Sequence, residues 1–417
     1  MTPRSIAPSM TAKAPPRVML LLGALNGGGA ERIAVDLFNS RDLASADLRL
    51  ALLARVGHYL AEVNPRRVVS PAHDWSGLLG FARAPADIAW MIRRLRPQVL
   101  MSFGMGVNLL TWLALRGLGR ERPRWICRED SNPVAEIAHL TRSRLGRSAI
   151  AGAVAHAYRS ADRLLCGCHD QARHLAGRLA IPAERIVVAP NPIDLARIAR
   201  AAREPLAGEP RRPFVVTAGR LAEQKDHQLL IDAFAASRAC RELDLVILGE
   251  GPLESALRAR AQALGVGARV LFPGFQANPW AWFARARLFV LASRWAGFGS
   301  VVAEAMACGA PVVVNDCDFG PREQVIHGRS GWVAPAGDAA ALTVSLDTLI
   351  RDPELSARLA AGGRARAVDF EVGAVARTYA ALFVELADSA TTRTSSGQGV
   401  STALVPTVRP VVSRARR

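Results

Sequence analysis

Short apolar runs recur along the chain, most of them followed by helical periodicity, and this alternation limits the possible folds more than any single motif does. In the first half the runs fall at residues 17–25, 48–53, 67–69, 99–103, 124–127, 163–166 and 185–188. A second series, at 214–218, 243–248, 269–272, 288–291 and 311–314, begins after a polar stretch rich in Arg and Pro. Unbroken apolar runs between helices are the mark of parallel strands buried on both faces. Two such series predict an α/β protein with two Rossmann-like, doubly wound parallel sheets facing each other across a cleft. The spacing puts an N-terminal domain at 17–196, a linker at 197–213 and a C-terminal domain at 214–368. A helix over 369–388 is expected to pack back on the N-terminal domain. Residues 1–16 and 389–417 lack periodicity and read as a disordered leader and a disordered basic tail.

A chain of 417 residues with half of them hydrophobic has core enough for two domains. Its 53 Lys+Arg against 36 Asp+Glu leave a formal charge of +17, which suits an anionic partner. Nucleic acid fits poorly, because the basic residues are dispersed and aromatics are only 6%. Phosphorylated small molecules and an acidic membrane surface remain. A basic helical stretch at 141–160 carries Arg142, Arg144, Arg147 and Arg159. It reads either as a solvated charged face or as a contact with anionic lipid. The Cys166-Gly167-Cys168 pair lacks the two-residue gap of common metal and redox motifs, so the six cysteines read as core residues of a protein in a reducing cytoplasm. No run approaches the roughly 20 apolar residues of a spanning helix, so any membrane contact is expected to be peripheral.

The chemistry concentrates in glycine turns after the strands. At 293–314 a Gly297-Phe298-Gly299 turn opens an apolar helix that contains one acidic residue, Glu304, among Val301, Val302, Ala305 and Met306. A buried carboxylate needs hydrogen-bond donors, and ligand hydroxyls would serve. Asn26-Gly27-Gly28-Gly29 follows the first strand and precedes a helix over 30–38, an arrangement that offers unpaired N–H groups to a phosphate. It is not a dinucleotide fingerprint, because the glycine spacing differs. In the second half, Gly219-Arg220 follows a strand and Lys225 is expected to open a helix five residues later. A guanidinium fork and an ammonium together could clamp a diphosphate. Gly249-Glu250-Gly251-Pro252 makes another turn at the sheet edge where α/β proteins bind ligands.

Taken together, GGGAER (27–32), NP (191–192), GRLAEQKD (219–226), ILGEGP (247–252), GFGSVVAEAMACGAPVV (297–313) and GPREQVIHGRSGWV (320–333) resemble the family 4 (group 1) glycosyltransferases. These are retaining, nucleotide-sugar-dependent enzymes with the GT-B fold. SFGMGVN (102–108) and REDSNP (128–133) resemble the branch that builds lipid-linked bacterial surface glycans. By that resemblance Arg220 and Lys225 are the catalytic cations on the donor diphosphate, and Glu304 takes the ribose hydroxyls. Gly28, Gly29, Gly219, Glu250, Gly297, Phe298 and Gly299 complete the donor site, and Asn108, Arg128 and Glu129 are acceptor-side candidates. The resemblance implies a UDP- or GDP-sugar donor and a glycan or undecaprenyl-diphosphate-linked acceptor. It implies peripheral contact with the anionic inner-membrane surface from the cytoplasm, and neither a metal nor any further cofactor. The chain departs from the family at Ala296, where a carboxylate eight residues before Glu304 usually contacts the donor sugar. A degenerate nucleotide-sugar-binding protein and a nucleotide-sugar epimerase are the alternatives.

Overall fold

A computed structural model describes residues 14–72, 77–206 and 208–395. Two all-parallel sheets organise them. The first contains β1 (Arg17–Leu22), β2 (Asp47–Leu52), β3 (Val68–Val69), β4 (Val99–Phe103), β5 (Arg124–Glu129), β6 (Arg163–Cys166) and β7 (Ile186–Val188). Their spatial order is β3-β2-β1-β4-β5-β6-β7. The second contains β8 (Phe214–Ala218), β9 (Asp244–Leu248), β10 (Val270–Gly274), β11 (Leu288–Leu291), β12 (Val312–Asp316) and β13 (Trp332–Pro335), in the order β10-β9-β8-β11-β12-β13. In both sheets the order reverses beside the first strand. The crevice at that reversal, off the C-terminal strand ends, is where open α/β sheets bind ligands.

Each sheet is covered on both faces, which is why its strands read as continuous apolar runs. Val18, Leu20 and Leu22 of β1 face one core, while Met19 and Leu21 face the other. The C-terminal helix Val372–Ser395 seals the first of these with Val375, Tyr379, Leu382, Phe383 and Leu386, so the end of the chain packs on the N-terminal sheet.

Three expectations change. The helix Leu195–Ala201 lies at the start of the expected linker, and its Ile198 and Ala201 are buried in a core of the second sheet. Residues 197–201 therefore belong to the second domain, because two apolar side chains one helical turn apart outweigh the surrounding arginines. The last helix also continues through 389–395, where the sequence reads as tail; the leader up to residue 13 and the tail from 396 lie outside the described residues. In the basic stretch, helix begins only at Arg144, after a turn at 141–143. Arg159, in the last turn of Arg144–Ser160, is then about 22 Å along the axis from Arg144. Arg142, Arg144 and Arg147 stay near the turn, and Arg159 lies apart from them.

Candidate functional site

The two sheets meet along a tight seam. Gly297 sits so close to the first domain that a Cβ there would lie 2.0 Å from the carbonyl oxygen of Asp130, just past the end of β5. Only glycine fits. Gly299, at φ 81°, then turns the chain into the helix Ser300–Cys308. Across the same seam the Nδ2 group of Asn191 donates to Ser300 Oγ at 2.8 Å. Asn191 Oδ1 accepts from Arg128 at 2.5 Å, and Arg128 also donates to Asp130 at 2.7 Å and to the hydroxyl of Tyr379. At the far side, the backbone N–H groups of His169 and Asp170 donate to the Glu323 carboxylate, and Arg322 pairs with Asp170 at 2.7 Å.

Three helices that follow strands at this edge offered N-termini to an anion, and two are already occupied. The carboxylate of Glu31, three residues into its helix, folds back over Gly28. Burial raises its pKa, hydrogen bonds from the N–H groups of Glu31 and Gly28 oppose that, and the charge of Asp130 adds to it. This is half of a capping box, and it makes Gly28 and Gly29 a poor cradle for phosphate. In the second domain Lys225 ends a 3₁₀ turn, Glu223–Lys225, and does not open the helix. Asp226 caps that helix by accepting from Leu229 N–H at 3.4 Å, and its other oxygen pairs with Arg294 at 2.8 Å. The helix Ser300–Cys308, by contrast, has no side-chain cap. Its N–H groups and positive dipole end point into the seam.

The cations follow β8, which pairs with β11, the strand that leads to that helix start. Lys225 runs back over Gly219, where its Cε would lie 3.1 Å from an added Cβ, and burial lowers its pKa, with Cys317 opposing. Arg220 is exposed at the end of β8. Glu250, at the end of β9, is exposed and accepts from the Phe275 N–H at 3.3 Å. Phe298 is buried against Phe370, with ring centroids 5.2 Å apart. Arg220, Lys225, Gly219, Glu250 and the 297–299 turn therefore share the C-terminal edge of the second sheet.

Glu304 is buried, and its Oε2 accepts from Trp280 Nε1–H at 3.0 Å. Its pKa is pushed up to about 7, chiefly by burial, with the Trp280 hydrogen bond opposing and Asp36 adding. It faces a cavity of about 10 Å³ shared with Arg32, Asp36, Arg197 and Trp280, room for roughly one water. A ribose would require the domains to part here. The sequence did not single out Trp280, Arg32 or Arg197, which reach Glu304 from distant segments.

The acceptor-side candidates lie inside the first domain. Asn108, Arg128 and Glu129 are all fully buried. Asn108 accepts from Ser102 Oγ at 2.6 Å and donates to the Arg128 carbonyl at 2.8 Å. Glu129 accepts from the Tyr158 hydroxyl and from Ser131 N–H; burial first, then the charge of Glu136, pushes its pKa up to about 8. Arg128 and Glu129 on a strand covered on both faces, and Asn108 on the helix Met105–Arg116, must find partners inward, and these do. Arg128 reaches the site only through Asp130 and Asn191. Ala296 is buried and apolar, so no carboxylate occupies that position.

Two parallel domains with a seam at their C-terminal strand edges define the GT-B class, and comparison with solved structures agrees. Anabaena HepE in complex with UDP-glucose superposes with TM-score 0.71 at 19% identity, over 88% of this chain and 99% of that one. WaaG, a glycosyltransferase of lipopolysaccharide biosynthesis, gives TM-score 0.68 at 16% identity over 88% and 99%. Residues 27–197 match the family described as Glycosyltransferase Family 4, and residues 199–366 match Glycosyl transferases group 1. The chain belongs to these group 1, family 4 glycosyltransferases. A Campylobacter jejuni relative, N-acetylgalactosamine-N,N'-diacetylbacillosaminyl-diphospho-undecaprenol 4-alpha-N-acetylgalactosaminyltransferase, is 32% identical over 53% of this chain and 59% of its own length. The lipopolysaccharide core biosynthesis glycosyltransferase LpsE of Rhizobium meliloti is 26% identical over 81% and 89%. The first of these relatives is thus matched over little more than half its length.

Proposed function

We propose that the chain is a retaining glycosyltransferase. It moves a hexosyl or N-acetylhexosaminyl group from a UDP- or GDP-sugar to a glycan or an undecaprenyl-diphosphate-linked acceptor, in bacterial-type surface polysaccharide or lipopolysaccharide assembly. The observation that carries this reading is the uncapped helix start at Gly299–Ser300, set in the seam with Arg220 and Lys225 on the same sheet edge. An anion held there has N–H donors, a dipole and two cations, and the charge that builds on a departing diphosphate is what such a site stabilises best. As the sugar–phosphate bond breaks, the acceptor oxygen bonds the anomeric carbon from the same face. A donor phosphate oxygen takes the acceptor proton, so the configuration is retained without a metal or further cofactor. Glu304, on the same helix, takes the ribose hydroxyls once the domains open. The UDP-glucose in the HepE structure and the diphospho-undecaprenol in the Campylobacter relative's name support the choice of donor and acceptor. The acceptor's lipid places the protein on the cytoplasmic face of an anionic inner membrane.

A thermal-shift panel of UDP-, GDP-, ADP- and dTDP-sugars tests the donor, because a ligand that binds only the folded state raises its stability. One nucleotide class should stabilise the chain, and stabilisation by none would sink the reading. Ala296 favours a second reading, a nucleotide-sugar-binding protein without turnover. Binding without nucleotide release across a range of acceptors would select it.

A further inference from the structure

We propose that the turn between the helices Pro133–Leu140 and Arg144–Ser160 is a membrane wedge. Leu140 and Leu145 enter the headgroup boundary of an anionic bilayer, while Arg142, Arg144 and Arg147 bind its phosphates. The proposal rests on the reading of a lipid-borne acceptor and adds how the protein would reach it.

Leu145 is 85% exposed and Leu140 63%, the first higher than any other exposed large hydrophobic among the described residues. Both sit at one turn, Leu140 as the last residue of one helix and Leu145 as the second residue of the next. Arg142 and Arg144 are exposed beside them and Arg147 is half-buried. No Asp or Glu occurs from Ile137 to Arg159, and none of the three arginines pairs with an acidic group among the described residues. Two apolar tips set among the cations of their own segment, with Glu223 of the second domain reaching only His139 beside them, match a surface of acyl chains under anionic headgroups. A protein partner fits less well, since a two-leucine tip is small against the roughly 1,000 Å² a stable interface buries.

The turn is also stiff. Thr141 Oγ1 accepts from Ser143 N–H at 3.2 Å, and Ser143 Oγ accepts from Gly146 N–H at 3.2 Å. The helices it joins are anchored in the first domain by Ile137 of the one and by Val154, Ala157 and Tyr158 farther along the other. Little entropy is then lost when the leucines insert. Its position supplies the link to the chemistry. His139, next to Leu140, stacks on Trp295 with ring centroids 4.9 Å apart, and Trp295 is two residues before Gly297. The His139 Nδ1 also lies 3.2 Å from the Glu223 carboxylate of the second domain. A lipid held at the wedge therefore meets the mouth of the seam.

The test uses the full chain and vesicles of phosphatidylcholine, alone or mixed with phosphatidylglycerol, read by co-sedimentation at low salt. The wild type should bind the mixed vesicles and bind neutral ones weakly. Leu140→Ser/Leu145→Ser should lose at least about tenfold in partitioning with its melting temperature unchanged. Arg142→Gln/Arg144→Gln should lose a similar factor and most of the salt dependence. Equal binding by the leucine variant and the wild type, or no vesicle binding by the wild type, would overturn the wedge. UDP binding, followed in parallel by calorimetry, reports the donor site separately. A wild type that binds UDP or GDP but no vesicles would reject only the wedge, and one that binds mixed vesicles but neither nucleotide would reject only the donor reading.

Discussion

Asn191 joins the two domains with one side chain: its amide donates to Ser300 Oγ at 2.8 Å while its carbonyl accepts from Arg128 at 2.5 Å. Ser300 is the first residue of the uncapped helix, and Arg128 is anchored through Tyr379 to the C-terminal helix. The end of the chain is thus wired to the helix start proposed to hold the diphosphate. Replacing Asn191 with Ala leaves a buried guanidinium short of an acceptor, at a cost of roughly 1–3 kcal/mol. Asn191→Ala should therefore melt earlier and show a larger radius of gyration in solution scattering. A variant as stable and as compact as the wild type would show that the bridge contributes nothing to closure.

Gly297 tests the seam from the other side. Any Cβ there meets the Asp130 carbonyl, which is backbone and cannot swing away. Gly297→Ala should keep both domain cores but hold the domains apart. A misplacement of about 1 Å at a reacting centre can cost on the order of 100-fold. Transfer should fall by at least that factor while nucleotide binding changes little. Wild-type transfer by Gly297→Ala would mean that this closed seam is not the reactive arrangement.

How far the sequence revealed this molecule depends on where each signal lies. Runs such as Val312–Val314 read as buried strands because both faces of the sheet are covered. β13 escaped because Trp332 and Val333 are half-buried and the strand ends on Pro335, as an edge strand can. Glu304 stood out as a lone carboxylate in an apolar helix, and its burial explains why. The spacing from Gly28 to Glu31 is that of a capping box, so a carboxylate folded over the glycine turn is legible in the sequence. Asn108, Arg128 and Glu129 are ambiguous in the sequence for a physical reason: a polar residue in an apolar strand or helix shows that partners exist, not whether those partners are ligand or protein. The Asp130–Gly297 and Asn191–Ser300 contacts join segments more than 100 residues apart, and no local pattern encodes them.

Glu304 should govern donor affinity. Hydrogen bonds to a charged acceptor are worth roughly 1.5–3 kcal/mol, so Glu304→Ala should weaken binding of the stabilising nucleotide sugar about 10- to 150-fold. Calorimetry on a variant with a native circular-dichroism spectrum measures this. An unchanged affinity would remove Glu304 from the ribose site and leave it as the partner of Trp280.

The same residue should leave a mark on stability. Its carboxyl titrates near 7 in the folded chain against an ordinary 4.5, so the native state holds the proton more tightly than the unfolded one. Its contribution is fully present below about pH 4.5 and fades as pH rises through 7, by an amount on the order of 3 kcal/mol. Glu304→Gln keeps an acceptor for Trp280 and removes the titration. The variant should gain stability relative to the wild type between pH 5 and pH 8, as denaturant midpoints measured across that range would show. A stability difference that stays constant with pH would mean that the carboxyl titrates normally.

The last prediction separates binding from chemistry at the cations. Charge on the diphosphate grows as the sugar–phosphate bond breaks, so a cation beside it stabilises the transition state more than the bound donor. Arg220 is exposed and free to move onto the ligand, whereas Lys225 is held against Gly219 in a setting where burial lowers its pKa. Arg220→Ala and Lys225→Ala should each lower kcat by roughly 100-fold or more and change donor affinity much less. Lys225→Arg should not restore the rate, because a planar fork cannot replace a compact ammonium packed over a glycine. Activity should survive a chelator, since the two cations and the helix start supply the positive charge. Strict dependence on a divalent ion, or normal turnover by both alanine variants, would take the leaving-group role away from Arg220 and Lys225.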